Sequence, residues 1–406
     1  MRTNRHILSG TGRSRRGALL VLTIWLIVLL MVMAYSLSYE MRIGMKMTSQ
    51  GRKRIQALGL ARAGLAHAVM DLRNDQMLKS SEGMYNNDTL KDIWAQTDDK
   101  TDVEIDDDAS GSYTVRIVDE QSKLDVNALR PDWAPAISYL LQNVSRVDED
   151  DAEFMAEALV DYIDNDNRPY NGEDASEAEY YTQAGWDKYA KLLPDGWVFR
   201  PKNDKLLNID ELLEIPGFTR EILYGETGKI PSDPIERLDM KRSTALVDYL
   251  TVGTGGAVNL NTAPVEVYGA LLSIGAKGRM DVRRAADSID DLRKELLTRR
   301  SKNGIGFMNP GQISEAKIDG GLLTGLLQCP LSVSSREYTI ISRGRVGPVT
   351  QTIEARVVVS IESYNLDSER EEGEQFIHDF KAMGFLKDRT NLIIDPILRV
   401  TQMKQY

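Results

Sequence analysis

An uninterrupted apolar run near the N-terminus constrains this chain more than any other feature of its sequence. Residues 18–39 read ALLVLTIWLIVLLMVMAYSLSY and contain no charged side chain. A helix of this length, at about 1.5 Å per residue, spans the roughly 30 Å hydrocarbon core of a bilayer. Five arginines and no acidic residue precede the run, which predicts a cytoplasmic N-terminus and a translocated remainder. These arginines are Arg2, Arg5, Arg13, Arg15 and Arg16.

Three interpretations of this run stay open on the residues alone. It is a simple single-span anchor, or it is a cleaved secretory signal with small residues at Ala34 and Ser36. The third interpretation makes it the first half of a longer helix, because Arg15-Arg16-Gly17 meets the run abruptly and helical sequence continues beyond it.

The continuation is a basic segment without proline between Glu40 and Arg73. Apolar residues recur there at helical spacing, so one long helix is expected. A polar helix of this length gains little from its own propensity, and we expect it to pack on a neighbour or on its own head. The apolar positions are Met41, Met45, Leu58, Ala61, Leu65, Ala68, Val69 and Leu72, and the basic ones are Arg42, Lys46, Arg52, Lys53, Arg54 and Arg62.

Composition excludes several classes of function. A length of 406 residues predicts two or three domains, and a net charge of −11 disfavours general nucleic-acid binding. The single cysteine, Cys329, excludes intramolecular disulfides and Cys-rich zinc sites, and only three histidines are present. No GxSxG, P-loop, HExxH or dinucleotide motif occurs. We therefore expect a protein that is not an enzyme.

The residues that follow the long helix, from residue 74 onward, are called the head. The head combines strands with a long, mostly helical middle part. Residues 112–118 alternate as a half-buried strand, and residues 337–343 and 350–359 flank a turn as an antiparallel hairpin. About two hundred mostly helical residues lie between them, beginning with a helical region from Asp132 to Ile163. The acidic stretch from Asn74 to Gly111 is expected to be a surface excursion. The pattern predicts an α+β fold: a long N-terminal helix on a small antiparallel sheet, with an α-helical insertion.

An acidic segment within this middle is a candidate metal site. Carboxylates with flexible spacing suit Ca²⁺, which takes six to eight oxygen ligands, although a solvated acidic loop is the commoner fate of such a run. The spacing does not fit an EF-hand. The candidate ligands are Asp161, Asp164, Asp166, Glu173, Asp174, Glu177 and Glu179.

Two further segments carry recognisable motifs. Residues 199–218 contain Lys202-Asn203 followed by ELLEIPGF, where Asn208 or Asp210 can cap a short helix. Residues 259–264 read NLNTAP, where Asn261 or Thr262 can cap a helix with Pro264 in its first turn. The same string begins helix-hairpin-helix modules that bind DNA phosphates through backbone amides. The candidate hairpins are residues 215–218 and 274–278, the latter followed by Arg279, Arg283 and Arg284.

The leader, the helix and these motifs together resemble a type IV pilin or a type II secretion pseudopilin. In that family a prepilin peptidase cuts after a glycine, here Gly17, and methylates the new N-terminus, here Ala18. Most members carry glutamate at mature position five, where it neutralises the α-amino charge of a neighbour in hydrocarbon. Here that position is Leu22, and this departure resembles the minor pseudopilin K of type II secretion systems. Cleavage would take the net charge from −11 to −16.

The resemblance to pseudopilin K implies a pilin-like α+β frame holding a large helical insertion of SAM-like or helix-hairpin-helix-like character. It implies calcium as the cofactor of the acidic segment. It further implies assembly with the I-type and J-type minor pseudopilins at the tip of a periplasmic pseudopilus that exports folded proteins. The other implied partners are the prepilin peptidase and the inner-membrane secretion platform, with a single-pass inner-membrane location and no nucleic acid.

These expectations divide the chain into six parts. They are the leader (1–17), the transmembrane and stalk helix (18–73), the acidic excursion with the first strand (74–127), the inserted helical domain (128–335), the C-terminal hairpin (336–360) and a C-terminal extension (361–406). The extension departs from the family, and a docking helix and a frayed tail are both open for it. The alternative identity is a minor tip pilin of a type IV pilus or competence system that contacts DNA.

Overall fold

The apolar run and the basic segment that follows it form one unbroken helix, α1 (Ser14–Ser81), of 68 residues and about 100 Å. Its first half is bare: Leu22 is 68% exposed and Trp25 is 70% exposed. From Ala57 onward one face of α1 is buried against a sheet. The structure, a computed structural model, describes residues 14–81, 87–96, 101–106, 109–172, 174–225, 244–276, 281–298, 305–365 and 392–405.

The described residues contain one five-stranded antiparallel sheet, in the order β1 (Thr101–Asp106), β2 (Ala109–Asp119), β7 (Glu337–Val346), β8 (Val349–Asn365) and β9 (Leu392–Gln405). Ile117 of β2 pairs with Ile340 of β7, which in turn pairs with Ala355 of β8. In chain order the other strands are β3 (Leu124–Asp125), β4 (Leu250–Thr251), β5 (Val258–Asn259) and β6 (Leu331–Ser332).

Small residues let α1 lie directly on this sheet. Gly344 in β7 faces the helix backbone, and a Cβ atom there would overlap the Ala57 carbonyl oxygen. A Cβ at Gly64 would likewise collide with the Ser342 hydroxyl. Ala68 and Leu72 continue the contact and are completely buried. The second half of α1, from Ala57 onward, therefore packs directly on the sheet and forms part of the core of the head.

The helical insertion runs from the end of β2 to the start of β7. Its hydrophobic core is continuous and includes the buried rings of Trp133, Tyr181, Phe199, Tyr268 and Phe307. Two short parallel pairs, β3 with β4 and β5 with β6, tie distant parts of the insertion together. The helices are α2 (Ala134–Asn143), α3 (Glu149–Ile163), α4 (Glu177–Tyr189), α5 (Arg220–Tyr224), α6 (Val265–Gly275), α7 (Val282–Thr298) and α8 (Gly320–Leu327).

A buried polar cluster joins the sheet to the insertion. Asp119, at the end of β2, accepts hydrogen bonds from the Thr262 hydroxyl (2.5 Å), the Ser335 hydroxyl (2.6 Å) and the Asn259 amide (3.2 Å). The Ser335 backbone N–H donates to Asp88 (2.7 Å). Burial raises the pKa of Asp119 to about 7, although the hydroxyl hydrogen bonds act in the opposite direction. Asp119 therefore links the two ends of the insertion to its NLNTAP segment, and Asp88 joins this cluster through Ser335.

The α+β fold class expected from the sequence is confirmed, with a long helix, a small antiparallel sheet and a large helical insertion. The stretch from Asn74 to Gly111 is not a simple surface excursion. Helix α1 continues to Ser81, Asp88 is 2% exposed, and Trp94 packs edge-on against Tyr338 at 5.1 Å. Trp94 supplies a large buried side chain to the sheet core, and the acidic composition of the segment concealed it.

The C-terminal extension supplies a strand. Residues 392–405 form β9, which pairs along β8 with Val357 opposite Val400 and Asn365 opposite Leu392. The possible docking helix around residues 376–386 lies outside the described residues. The extension therefore widens the sheet on the side away from β2.

Candidate metal centre and assembly helix

The acidic loop leaves α3 and re-enters helix at α4, and this turn brings three of its carboxylates together. Asp161 lies in the last turn of α3, Asp164 caps its end, and Glu177 is the first residue of α4. Each residue offers an oxygen, and these oxygens lie within 4.8 Å of one another. The cluster joins two helix ends, so any cation held there would hold the loop as well.

Asp161 is fixed in place by two hydrogen bonds. The Tyr181 hydroxyl and the Tyr170 backbone N–H both donate to its Oδ2 atom at 2.7 Å. Burial raises the pKa of Asp161 to about 6, while both hydrogen bonds favour the charged form. Neither bond involves Oδ1, so that oxygen can serve another ligand.

Glu177 is the least satisfied acid in the cluster. Its side chain is 0% exposed, and neither carboxylate oxygen has a hydrogen-bond partner. Burial and then the charges of Asp161 and Asp164 raise its pKa to about 8. An unpaired buried carboxylate is costly, and a divalent cation bound by oxygen atoms would remove that cost. The donor set therefore fits calcium.

Lys202 and Asn203 form hydrogen bonds to the end of α3 and to the acidic loop that follows it. The backbone N–H groups of both residues donate to the Tyr162 carbonyl, and Asn203 adopts a left-handed conformation (φ 51°). Its Nδ2 donates to the Asp166 carbonyl at 3.0 Å, and its Oδ1 is buried without a partner. Asn203 was not among the predicted ligands, which were all carboxylates, because a neutral amide adds no charge to the acidic run. The family-like Lys-Asn motif was the signal for it.

The other predicted ligands lie apart from this group. Asp166 is exposed, and its Oδ1 accepts from the Arg168 backbone N–H at 2.8 Å. Glu179 is engaged in a capping box with Ser176. Asp174 is exposed, and Glu173 lies outside the described residues.

A second group of three acids already holds a cationic side chain. Asp75, Asp88 and Asp92 surround Lys79, whose Nζ lies 2.6 Å from an oxygen of each. Burial raises the pKa of Asp75 to about 6 in spite of the lysine. The ammonium occupies the centre where a metal would sit, so this group does not fit one.

The NLNTAP segment is a buried structural junction. Asn261 exchanges hydrogen bonds with the Phe307 backbone, at 2.7 Å from its N–H and 3.0 Å to its carbonyl. Thr262 donates to Asp119, and Pro264 is itself the N-cap of α6. The expected cap at Asn261 or Thr262 is therefore wrong, because both side chains are committed to tertiary contacts. The expected cap at Asn208 is confirmed, over a 3₁₀ helix from Ile209 to Glu214.

The first candidate DNA hairpin is closed by packing. Ile215 and Phe218 are buried, and a Cβ at Gly217 would collide with Met155 and Tyr189. Of the second candidate hairpin, residues 274–276 form the end of α6 and its C-cap, and residues 277–278 lie outside the described part. Arg283 lies 3.7 Å from Glu266 and 3.6 Å from Asp287.

The predicted processing residues lie at the start of α1. Gly17 and Ala18 fall in its first turns, and Leu22 lies on the bare apolar half. In the described part of the chain, α1 alone is long and apolar enough to cross a membrane. Its most apolar window has a mean hydropathy of 2.6 and is 0% buried.

Comparison with known proteins finds a family match over part of the chain and a similar fold. Residues 116–224 match the family model described as type II secretion system (T2SS), protein K. No curated protein sequence matches the chain. A chain of the crystal structure of the GspK-GspI-GspJ complex from the enterotoxigenic Escherichia coli type 2 secretion system is similar in fold. The TM-score is 0.52 and the identity 17%, over 88% of this chain and 99% of that chain.

The matched segment begins in β2 and ends with α5, so it contains the candidate metal centre, Lys202-Asn203 and the closed hairpin. The similar fold extends over most of the rest of the chain. The family match covers residues 116–224 only, and these residues are similar to type II secretion system protein K, while the structural match shows that the two chains share a fold.

Proposed function

We propose that this chain is a type II secretion system protein K, a minor pseudopilin that starts or caps the periplasmic pseudopilus and so supports export of folded proteins across the outer membrane. The observation that carries the proposal is α1, which is bare and apolar in its first half and packs on the sheet of the head in its second half. Such a surface must be covered by lipid in the membrane and by other helices in a filament.

The shape of the head supports an end position. The insertion between β2 and β7 adds about two hundred residues to the small sheet that packs on α1. A subunit stacked directly above this one would clash with the insertion. Leu22 adds a second argument, because it cannot neutralise the α-amino group of a subunit above it. Both features are tolerable where nothing is stacked above.

The partners in this proposal are the I-type and J-type pseudopilins. The chain of similar fold comes from a GspK-GspI-GspJ complex. We propose that the bare half of α1 packs with the equivalent helices of two such partners, after a prepilin peptidase has cut between Gly17 and Ala18. The head then lies in the periplasm on a single inner-membrane span, in contact with the secretion platform. The protein acts as a structural component and not as an enzyme.

Calcium completes the proposal for the head. Asp161, Asp164 and Glu177 would hold the ion, and the buried Asn203 Oδ1 lies on a residue bonded to the same loop. When bound, the ion supplies positive charge to a desolvated acidic cluster. The chain's own residues orient the ligands: Tyr181 and the Tyr170 amide fix Asp161. The expected result is a loop that orders on binding.

The end position is tested by labelling assembled filaments. Full-length chain carrying a single surface cysteine at exposed Leu192 can be gold-labelled, because Cys329 is buried. We expect one particle at one end of each isolated pseudopilus, and loss of export in a strain that lacks the gene. Particles distributed along the filament would contradict the tip assignment.

Complex formation is tested separately. Co-expressed full-length I-type, J-type and K-type subunits should co-purify in detergent with one copy of each. Trp25→Asp places a charge on the bare half of α1 and should prevent assembly, whereas Ile55→Asp, on an exposed position beside the head, is the matched control. Equal assembly of both variants would exclude the first half of α1 as the contact surface.

A further inference from the structure

A groove separate from the acidic cluster lies between α2 and α3. Its cavity volume is about 370 Å³, within the range of small-ligand sites. Ala134 and Ala156 contribute apolar wall, and Tyr170 lies at its exposed rim. Asp161, Asp164 and Glu177 do not line this groove.

One wall of the groove carries two uncompensated carboxylates. Glu153 and Glu157 lie one turn apart on the same face of α3, and like charges at this spacing repel. Neither forms an ion pair within the described residues. Burial and the charge of Glu153 raise the pKa of Glu157, while Lys188 acts in the opposite direction. Lys188 is itself paired with Asp151 at 3.5 Å.

Two tyrosine rings complete the groove. Tyr139 is held against Gly269, where a Cβ would overlap its ring. Tyr170 is 40% exposed, and its backbone N–H is fixed on Asp161 at 2.7 Å. Aromatic faces attract cations, and arginine more often than lysine occupies such positions.

The other charges around Tyr139 do not fill the groove. Burial raises the pKa of Tyr139, and the Arg283 charge opposes this rise. Arg283 also lies 3.7 Å from Glu266 and 3.6 Å from Asp287, so its charge is shared with two acids. The groove therefore combines apolar wall, two aromatic rings and two carboxylates without an ion-pair partner. This combination matches a long side chain with an apolar stem and a cationic end.

We propose that this groove receives a lysine or arginine side chain of a protein partner, with its stem along the alanine wall and its charge between Glu153 and Glu157. Charge complementarity supplies the attraction, and Tyr139 and Tyr170 supply stacking faces. The proposal does not depend on the tip position or on calcium. It adds a recognition site on the insertion, away from the bare half of α1.

The test uses full-length protein in detergent, labelled with 3-fluorotyrosine, with signals assigned by Tyr139→Phe and Tyr170→Phe. The probes are the blocked tripeptides Gly-Arg-Gly and Gly-norleucine-Gly, with guanidinium chloride at the same millimolar concentration. We expect the arginine peptide to shift both tyrosine signals saturably in the millimolar range. Glu153→Gln with Glu157→Gln should weaken binding at least about threefold, as expected for two partly exposed ion pairs.

A matched charge control is Glu149→Gln with Asp150→Asn, at exposed positions in the first turn of α3. It should leave peptide binding unchanged. The double glutamine variant should keep or raise the melting temperature, because it removes a repulsive pair. Equal shifts with the norleucine peptide or with guanidinium alone would overturn the proposal. So would an absent shift with arginine peptide, or equal binding by the double variant.

Discussion

Replacing Glu177 by glutamine keeps the shape of a fully buried side chain and removes its charge. In metal-free protein the folded pKa is about 8, against an ordinary value of 4.5. At about 1.4 kcal/mol per pKa unit, this raised pKa costs the folded state on the order of 4 kcal/mol at pH 7.5, because the group must take up a proton on folding. We therefore expect Glu177→Gln to stabilise the metal-free head and to weaken calcium binding at the same time.

The pH dependence of this effect has a defined sign. A carboxyl group whose pKa is raised on folding binds more protons in the folded state. Its contribution to stability is therefore lost as the pH rises from about 4.5 to about 8. Metal-free wild-type protein should lose stability across this window. Glu177→Gln should flatten the curve in part, leaving the declines due to Asp119, whose pKa is about 7, and to Asp161 and Asp75, whose pKa values are about 6.

The assay is urea unfolding of the full-length chain in detergent, with chelator or with calcium. Tryptophan fluorescence reports on the insertion, since Trp186 lies in α4 and its indole donates to the Trp197 carbonyl at 3.1 Å. Calcium at one hundred times its Kd should stabilise the wild type by about 2.7 kcal/mol. In Glu177→Gln this increment should fall sharply.

The matched control is Glu179→Gln, two residues further along α4. Glu179 serves a capping box, where glutamine functions equally well, so neither stability nor calcium binding should change. The reasoning is refuted if Glu177→Gln lowers the stability of the metal-free protein. It is also refuted if the variant keeps the full calcium increment.

Three other perturbations test separate parts of the structure. Gly344→Val should force the sheet off α1 and cost at least about 3 kcal/mol in urea unfolding, whereas Gly59→Ala, at an open helix position, should be tolerated. Lys79→Met should leave three carboxylates without their cation and cost about 3 to 5 kcal/mol, against about 1 kcal/mol or less for Lys188→Met at a half-exposed pair. Gly17→Ala should block processing and abolish secretion by the system, and normal secretion in cells whose Gly17→Ala chain runs unprocessed on a gel would contradict this.

The sequence predicted elements whose signal is local. The apolar run, the alternating strands and the Asn208 cap each depend on neighbouring residues, and the structure contains all three. The helix end at Arg73 was placed too early. The charges beyond it are paired in tertiary contacts, as Lys79 shows, and such contacts have no periodicity to detect.

The candidate metal centre shows the same division. An acidic run identifies a region, but the chain turn at residues 164–176 decides which oxygens converge. Asp161, Asp164 and Glu177 come together, while Glu179 is used for capping. Burial separates these roles: Glu177 is 0% exposed, and no local pattern distinguishes it from its neighbours. NLNTAP was similarly ambiguous, because its polar side chains bind partners distant in sequence.

Helix α1 has no break between the apolar run and the segment under the sheet. Each residue of an α-helix turns the axis by about 100° and advances it by about 1.5 Å. In the filament that we propose, a slip of the exposed half of α1 by one residue against neighbouring helices would therefore rotate the head by about 100° around the filament axis. The register chosen near Leu22 thus sets the direction in which the acidic loop and the groove point.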